Sequence, residues 1–153
     1  MDDVAVQQAD IDVGAEIAAL SAGDDGAGAV ASFVGLVRGG DISAMALEHY
    51  PGMTEKALAE IVTLARERWQ LRRVRVIHRV GELRPGERIV FVGVASAHRG
   101  DAFAACAFIM DYLKTRAPFW KKETTPEGGR WVDAREADDE AARRWSNRDV
   151  ASG

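Results

Sequence analysis

The feature that most restricts the fold of this chain is a hydrophobic strand that runs almost directly into a long helix. Residues 89–97 are the most hydrophobic strand candidate, and residues 101–116 follow as a helix that Pro118 ends. The spacing directs Phe103, Ala107, Met110 and Leu113 of that helix to the core. Another helix is predicted at residues 54–69, with Thr54 as its N-cap. Two such helices set among strand pairs predict an α+β fold.

The remaining predicted elements are short. Strands are expected at residues 4–11, 28–37, 45–50, 73–80 and 130–134, and a helix at residues 13–20. Turn residues at 84–87 and 126–129 separate strand candidates. The acidic and then basic pattern of residues 136–144 predicts a short surface helix near the end of the chain.

The composition narrows the function classes. The chain has 153 residues, 47% of them hydrophobic, which suits one domain with a real core. Its net charge of -4 argues against nucleic acid and membrane surfaces as general partners, and no apolar run could span a bilayer. The single cysteine, Cys106, is expected to pack in the core. With an acidic N-terminus unlike a secretion signal, this cysteine usage predicts a cytoplasmic protein.

The junction between the hydrophobic strand and its helix is a candidate anion site. Free N–H groups at a helix N-terminus attract negative charge, and His98 and Arg99 would add side-chain donors. An ordinary surface loop that carries these two residues explains the pattern equally well. Both interpretations stay open on the residues alone.

A second candidate is the basic run from Lys114 to Lys122, which is interrupted by Phe119 and Trp120. Lysines at a helix C-terminus complement the helix dipole, which is the simple structural interpretation. A half-buried lysine among other cations can also act as a base or nucleophile. Arg38, ahead of two glycines, and Arg135, beyond Trp131, are weaker candidates.

Other chemistries find no support in the sequence. His49 and His78 lie on predicted strands without the spacing of a metal site. The glycines form neither a phosphate-binding loop nor a dinucleotide fingerprint, and no Gly-x-Ser-x-Gly elbow is present.

Several long strings make the chain similar to one known family. They are EHYPGMTEKAL at residues 48–58, VIHR at 76–79, GEL at 81–83, FVGV at 91–94, SAHR at 96–99 and DYLKTRAPFWK at 111–121. In this order they resemble the large, catalytic subunits of molybdopterin synthase. The resemblance extends over residues 28–145; residues 1–27 match weakly, and residues 146–153 are expected to be a frayed tail of the same single domain.

The resemblance implies a fold, a reaction and partners. The fold would be of the α/β-hammerhead type, with a mixed or antiparallel sheet, two main helices and a small β subdomain. The large subunit would form a homodimer with a small ubiquitin-like sulfur carrier at each end, a heterotetramer overall. The carrier's C-terminal Gly-Gly thiocarboxylate would supply sulfur to cyclic pyranopterin monophosphate, yielding the dithiolene of molybdopterin. No metal or redox cofactor is implied.

The resemblance also assigns roles to particular residues. Lys114 and Lys121 would be catalytic and would contact the substrate. Arg38, His98 and Arg99 would bind the pterin and its phosphate, with His98 and Arg99 reaching a site completed by the other protomer. The further substrate-binding candidates are Lys122, Glu123 and Arg135.

The chain departs from the family pattern at one side of the expected site. Leu36 stands where relatives commonly have a lysine, and the loop at residues 39–43 is short. Two alternatives to the synthase remain. One is a binding module that keeps the carrier groove without turnover, and the other is a general enzyme for phosphate ligands that needs no protein-bound sulfur donor.

Overall fold

The computed structural model describes residues 3–40, 43–125, 128–132 and 145. Within them the helices are α1 (Val13–Ser21), α2 (Met53–Arg68) and α3 (Arg99–Arg116). The strands are β1 (Val4–Gln7), β2 (Ala29–Leu36), β3 (Ala44–His49), β4 (Arg73–Arg79), β5 (Gly81–Leu83), β6 (Arg88–Ser96), β7 (Phe119–Thr125) and β8 (Gly128–Val132). The predicted α+β class is therefore confirmed.

The strands form two four-stranded sheets. The first has the order β1-β4-β6-β2, in which β1 and β4 run parallel and the other neighbours antiparallel. The second has the order β5-β3-β7-β8 and is antiparallel throughout. It is the smaller β unit that the family resemblance implied. The hydrophobic strand β6 thus occupies an inner position of the first sheet.

Both faces of the first sheet are covered. Residues of α2 and α3 pack with β6 residues such as Val92 and Val94 in the main core, and α1 covers the other face with Leu20 against Phe91. Two covered faces explain why β6 is hydrophobic without alternation. Gly93 leaves room for the buried Leu20, because a Cβ at this position would lie 2.4 Å from a methyl carbon of Leu20, which would have to shift.

The face that α3 turns to the core differs from the prediction. Met110 and Leu113 are buried as expected, but Phe103 is 66% exposed and Ala107 is exposed as well. The small residues Ala102 and Ala105 are buried instead, in contact with the sheet. Small side chains let a helix approach a sheet closely, and the bulky Phe103 would prevent this approach. The expected burial of Cys106 is confirmed.

The predicted N-cap of α2 is also wrong. The N-cap is Gly52, whose φ of 85° favours glycine, and its N–H donates to Glu55 Oε2 at 3.0 Å. Thr54 is the second residue of the helix and is fully buried, and its hydroxyl accepts from Tyr50 N and donates to Pro118 O, each at 3.1 Å. The prediction was wrong because threonine serves equally well as an N-cap and as a buried hydrogen-bonding residue.

The sequence did not predict strands β5 and β7. The basic run after Pro118 continues as β7, which pairs antiparallel with β3. Strand β8 begins two residues before its predicted position; the end of that prediction and the expected helix at residues 136–144 lie outside the described residues. Among the helices of the described part, none is long and apolar enough to cross a membrane.

Candidate active site

Lys114 lies in the last turn of α3 with its side chain exposed. The helix ends two residues later, and the N–H of Ala117 donates to Leu113 O at 3.3 Å in the final turn. The carbonyl oxygens left free at a helix C-terminus favour a positive charge. The side chain of Lys114 therefore complements the helix dipole at the point where the chain leaves the helix for β7.

Lys121 lies on β7 opposite Leu47 of β3, with a partly exposed side chain. Phe119, two residues earlier on the same strand, is opposite His49. Side chains two residues apart point to one face of a sheet, so Phe119 and Lys121 share a face with the buried Leu47. The apolar neighbours support the aliphatic part of Lys121.

The structure brings both lysines to a residue that the sequence did not single out, His78. Burial, together with the positive charges of Lys114 and Lys121, lowers the pKa of His78 to about 4. The imidazole is therefore neutral at physiological pH. The ring of Phe119 stacks on His78 with centroids 3.9 Å apart, and Lys121 shares the β7 face of Phe119. Strand β7 therefore brings Lys121 toward the same buried ring whose pKa Lys114 of α3 also lowers.

This arrangement can attract anions and move protons. Two cationic side chains beside the neutral ring of His78, which packs on Phe119, stabilise negative charge better than they would in open water. A lysine in such a position can also donate a proton to a leaving group or accept one. The site is therefore suited to joining two anionic reactants.

His98 and Arg99 lie at the other end of α3. His98 is the N-cap residue, and both side chains are exposed, as an anion site requires. At 1.5 Å per residue, Arg99 and Lys114 are separated by about 22 Å along the helix axis. A single chain therefore does not bring the predicted phosphate-binding pair to the predicted catalytic lysines.

Arg38 is exposed and follows the end of β2. Its neighbour Val37 is fixed to the turn at residues 84–87, with Val37 N donating to Glu87 O and Gly86 N to Val37 O, both at 2.9 Å. Leu36, the last residue of β2, is 59% exposed. Arg38 therefore lies two residues beyond an exposed apolar side chain.

The remaining predicted residues are described in part or not at all. The backbone of Lys122 pairs with Ala46 and Trp131, and that of Glu123 with Met45 and Arg130. Their side chains and Arg135 lie outside the described part of the structure.

A second histidine adjoins the lysine site. His49 Nε2 lies 3.7 Å from Glu55 Oε1, and this oxygen is buried without a hydrogen-bond partner. The sequence could have indicated His49 and His78, since both lie within the strings that carry the family resemblance. They were set aside because only metal binding was considered for them.

A shallow cleft elsewhere contains none of the predicted residues. It is lined by residues 10–14 and Arg88, and the Arg88 guanidinium is already paired with Asp10 at 2.9 Å. This pairing satisfies the charges that could have recognised a ligand, so the lysine site remains the candidate for chemistry.

Comparison with known proteins identifies relatives of this chain. A family model described as "MoaE protein" matches residues 6–116. The molybdopterin synthase catalytic subunit of Ralstonia nicotianae is 64% identical over 149 residues, which are 95% of this chain and 85% of the relative. The subunit of the same name from Escherichia coli K12 is 69% identical over 122 residues, covering 77% of this chain and 81% of the relative.

The solved structures agree with these relatives. The molybdopterin biosynthesis MoaE protein from Burkholderia ambifaria MC40-6 superposes with a TM-score of 0.84 at 57% identity. The match covers 95% of this chain and 99% of the other. The similarity therefore extends through both sheets and the helix that carries Lys114.

Proposed function

The chain belongs to the MoaE protein family of molybdopterin synthase catalytic subunits, and from this premise we propose that it carries out the synthase's sulfur transfer. The donor is the C-terminal thiocarboxylate of a small sulfur-carrier subunit, and the acceptor is cyclic pyranopterin monophosphate. The relatives' name, catalytic subunit, supports the proposal of a second kind of subunit.

The observation that carries the proposal is the arrangement around the buried His78, whose ring stacks on Phe119 of the strand that carries Lys121 and whose pKa the charges of Lys114 and Lys121 both lower. The thiocarboxylate and the cyclic phosphate are both anions and repel each other in water. Two ammonium groups offset this repulsion and hold the reactants together. The proposed site therefore supplies what the reaction needs without a metal ion or redox cofactor.

The lysines also have a proposed role in proton transfer. Each transfer forms a carbon–sulfur bond on the pterin, and hydrolysis returns the carrier's acyl carbon to a carboxylate. Protons must reach the departing oxygen of the pterin and leave the attacking water. Lys114 and Lys121 are the proposed donors and acceptors, since a lysine ammonium and its neutral amine serve both directions.

The proposed assembly is a homodimer in which each active site uses residues of both chains. Arg99 and Lys114 are about 22 Å apart along α3, so one chain cannot direct both at one small substrate. A second copy related by a two-fold axis would bring its own His98 and Arg99 beside Lys114. With a carrier at each end, the whole assembly is a heterotetramer.

The substrate contacts follow from this arrangement. Arg38, His98 and Arg99 are proposed to bind the pterin and its phosphate, because guanidinium and imidazole groups match phosphate oxygens. Lys122, Glu123 and Arg135 are proposed as further contacts on the strength of the family pattern. A cytoplasmic location is proposed from the single, buried and unpaired cysteine.

The test is conversion of cyclic pyranopterin monophosphate to molybdopterin by the purified chain and thiocarboxylated carrier. Wild type should form product, and Lys114→Ala and Lys121→Ala should each lose roughly 100-fold or more in rate. Lys56→Ala is the matched control, because Lys56 is an exposed lysine on α2.

The outcomes separate the alternatives. Full activity in Lys114→Ala would keep the synthase and remove that lysine from the mechanism. Carrier binding without product in the wild type would support a binding module instead. Turnover of phosphate compounds without any carrier would support a general phosphate-ligand enzyme.

A further inference from the structure

His78 is a buried side chain near the end of β4 whose orientation is fixed. Its Nδ1 lies 2.8 Å from the carbonyl oxygen of Arg79, and because a carbonyl accepts, Nδ1 carries the proton. The residue is 7% exposed. Its tautomer and ring plane are thus set by the backbone rather than by solvent.

The ring of His78 lies flat against Phe119. The centroids are 3.9 Å apart and the planes are inclined by 24°. His78 belongs to the first sheet and Phe119 begins β7 of the second, so the stack joins the two sheets. Phe119 is also the residue at which the chain turns from α3 into β7, with its N–H donating to Ala117 O at 2.9 Å.

Phe119, one of the two stacked residues, lies between the two lysines along the chain. Lys114 precedes Phe119 by five residues, and Lys121 follows it by two, on the same face of β7. The position of the Phe119 ring consequently fixes how β7 starts relative to the end of α3. Any shift of this ring changes the separation of the two ammonium groups.

The electrostatics require a neutral group here. Three groups lower the pKa of His78 through their charge, Lys114 of α3, Lys121 of β7 and His49 of β3. The residues opposite His78 on the paired strands, Val6 of β1 and Val90 of β6, carry no charge. A further positive charge would repel both lysines. A neutral aromatic ring packs against Phe119 without this penalty.

We propose that His78 is a positioning residue of the two-lysine site, which holds Phe119 and thereby sets Lys121 of β7 against Lys114 of α3. This role rests on the proposed sulfur-transfer function. His78 acts through Phe119 and the backbone that follows it, and it does not itself contact the reacting atoms.

Three variants separate the stack from the hydrogen bond. His78→Phe keeps an aromatic ring against Phe119 and loses the bond to Arg79 O. His78→Gln keeps a donor of similar reach and loses the ring, and His78→Ala loses both. Turnover at saturating substrate should fall about tenfold or more in the Ala and Gln variants, and His78→Phe should restore it to within about threefold of wild type. The KM for the carrier should change little.

A second measurement tests the geometry without turnover. The pKa of His78, followed by NMR of its imidazole, should rise above about 4 in Lys114→Met and in Lys121→Met. Lys56→Met should leave it unchanged. The signal of His78 is the one of the three histidine signals that remains in both His49→Gln and His98→Gln, so its assignment needs no folded His78 variant.

The results are decisive in either direction. A folded His78→Gln with wild-type turnover, or a folded His78→Phe as slow as His78→Ala, would overturn the role of the stack. A His78 pKa that neither lysine variant changes would overturn the proposed geometry even if the His78 variants fail to fold. Absence of product from wild type would instead overturn the proposed function, and the role of His78 in that reaction with it.

Discussion

The hydroxyl of Thr54 donates a hydrogen bond to the carbonyl oxygen of Pro118 at 3.1 Å, across 64 residues of sequence. The same hydroxyl accepts from Tyr50 N, so one buried oxygen ties the start of α2 to the segment between α3 and β7. This segment separates Lys114 from Lys121. The bond therefore helps to fix the position of the segment that connects the two lysines.

Replacing Thr54 by valine should destabilise the fold. Valine has nearly the same shape, but it leaves Tyr50 N–H and Pro118 C=O without this partner, at a cost of about 2 kcal/mol in the free energy of unfolding. Urea denaturation measures the change. Thr63→Val is the matched control on α2, where the exposed hydroxyl donates to Ala59 O, and it should change stability by less than about 0.5 kcal/mol. Equal effects of the two substitutions would contradict the structural role of Thr54.

The stability of the protein should depend on pH through His78. Its pKa is about 4 when folded against 6.5 ordinarily, so between these values the unfolded chain binds a proton that the folded chain does not. The free energy of unfolding therefore rises with pH across this window. The full difference is about 3 kcal/mol, present above pH 6.5 and lost as the pH falls to about 4.

Urea denaturation at a series of pH values checks this dependence. His78→Phe has no titrating ring and should lack this part of the pH dependence. Asp10 and Asp24 also have a lowered pKa, through their hydrogen bonds to Arg88 and Arg72. Their contribution is lost below the ordinary carboxyl pKa of 3.8 and should remain in both proteins. Parallel curves for wild type and His78→Phe between pH 4 and 6.5 would rule out a buried neutral imidazole.

The thiol of Cys106 should be unreactive while the protein is folded. Burial raises its pKa to about 11, and its sulfur contacts Val92 O inside the core. At pH 8 the thiolate fraction should be about a hundredfold lower than for a free cysteine, so iodoacetamide should react correspondingly slowly. The control is the same reaction in urea, where labelling should become fast. Rapid labelling of the folded chain would contradict this burial.

The sequence predicted most elements because their signals are local. The hydrophobic run of β6 and the proline after α3 determine a strand and a helix end without reference to the rest of the chain. Strand β7 has no such signal, since its basic side chains resemble a helix end and its order comes from pairing with β3. Phe103 was misplaced for a related reason, because helical spacing alone does not tell which of two faces meets the sheet.

The same distinction applies to the site. Lys114 and Lys121 were predicted from their motif, but the motif does not show how close the two side chains lie in the fold. The role of His78 depends on the meeting of two sheets, which no single stretch of sequence encodes. Local patterns therefore name chemically capable residues, whereas the tertiary contacts select which of them act together.

The proposed shared active site can be tested by mixing two inactive variants. Lys114→Ala and Arg99→Ala should each be strongly impaired as homodimers. A mixed dimer has two sites, each built from Lys114 of one chain and Arg99 of the other. One of these sites carries both substitutions, and the other carries neither. Random reassociation makes half of the dimers mixed, each with one of two sites intact, so about a quarter of the wild-type activity should return.

The control mixture combines Lys114→Ala with Lys121→Ala. The two lysines converge on one His78 in the same chain, so every site in the mixed dimer lacks one of them. This mixture should recover no activity after the same unfolding and reassociation. Failure of the first mixture, with mixed dimers demonstrated by mass spectrometry, would place Arg99 outside the site of its neighbour. Recovery in both mixtures would contradict the convergence of the lysines within one chain.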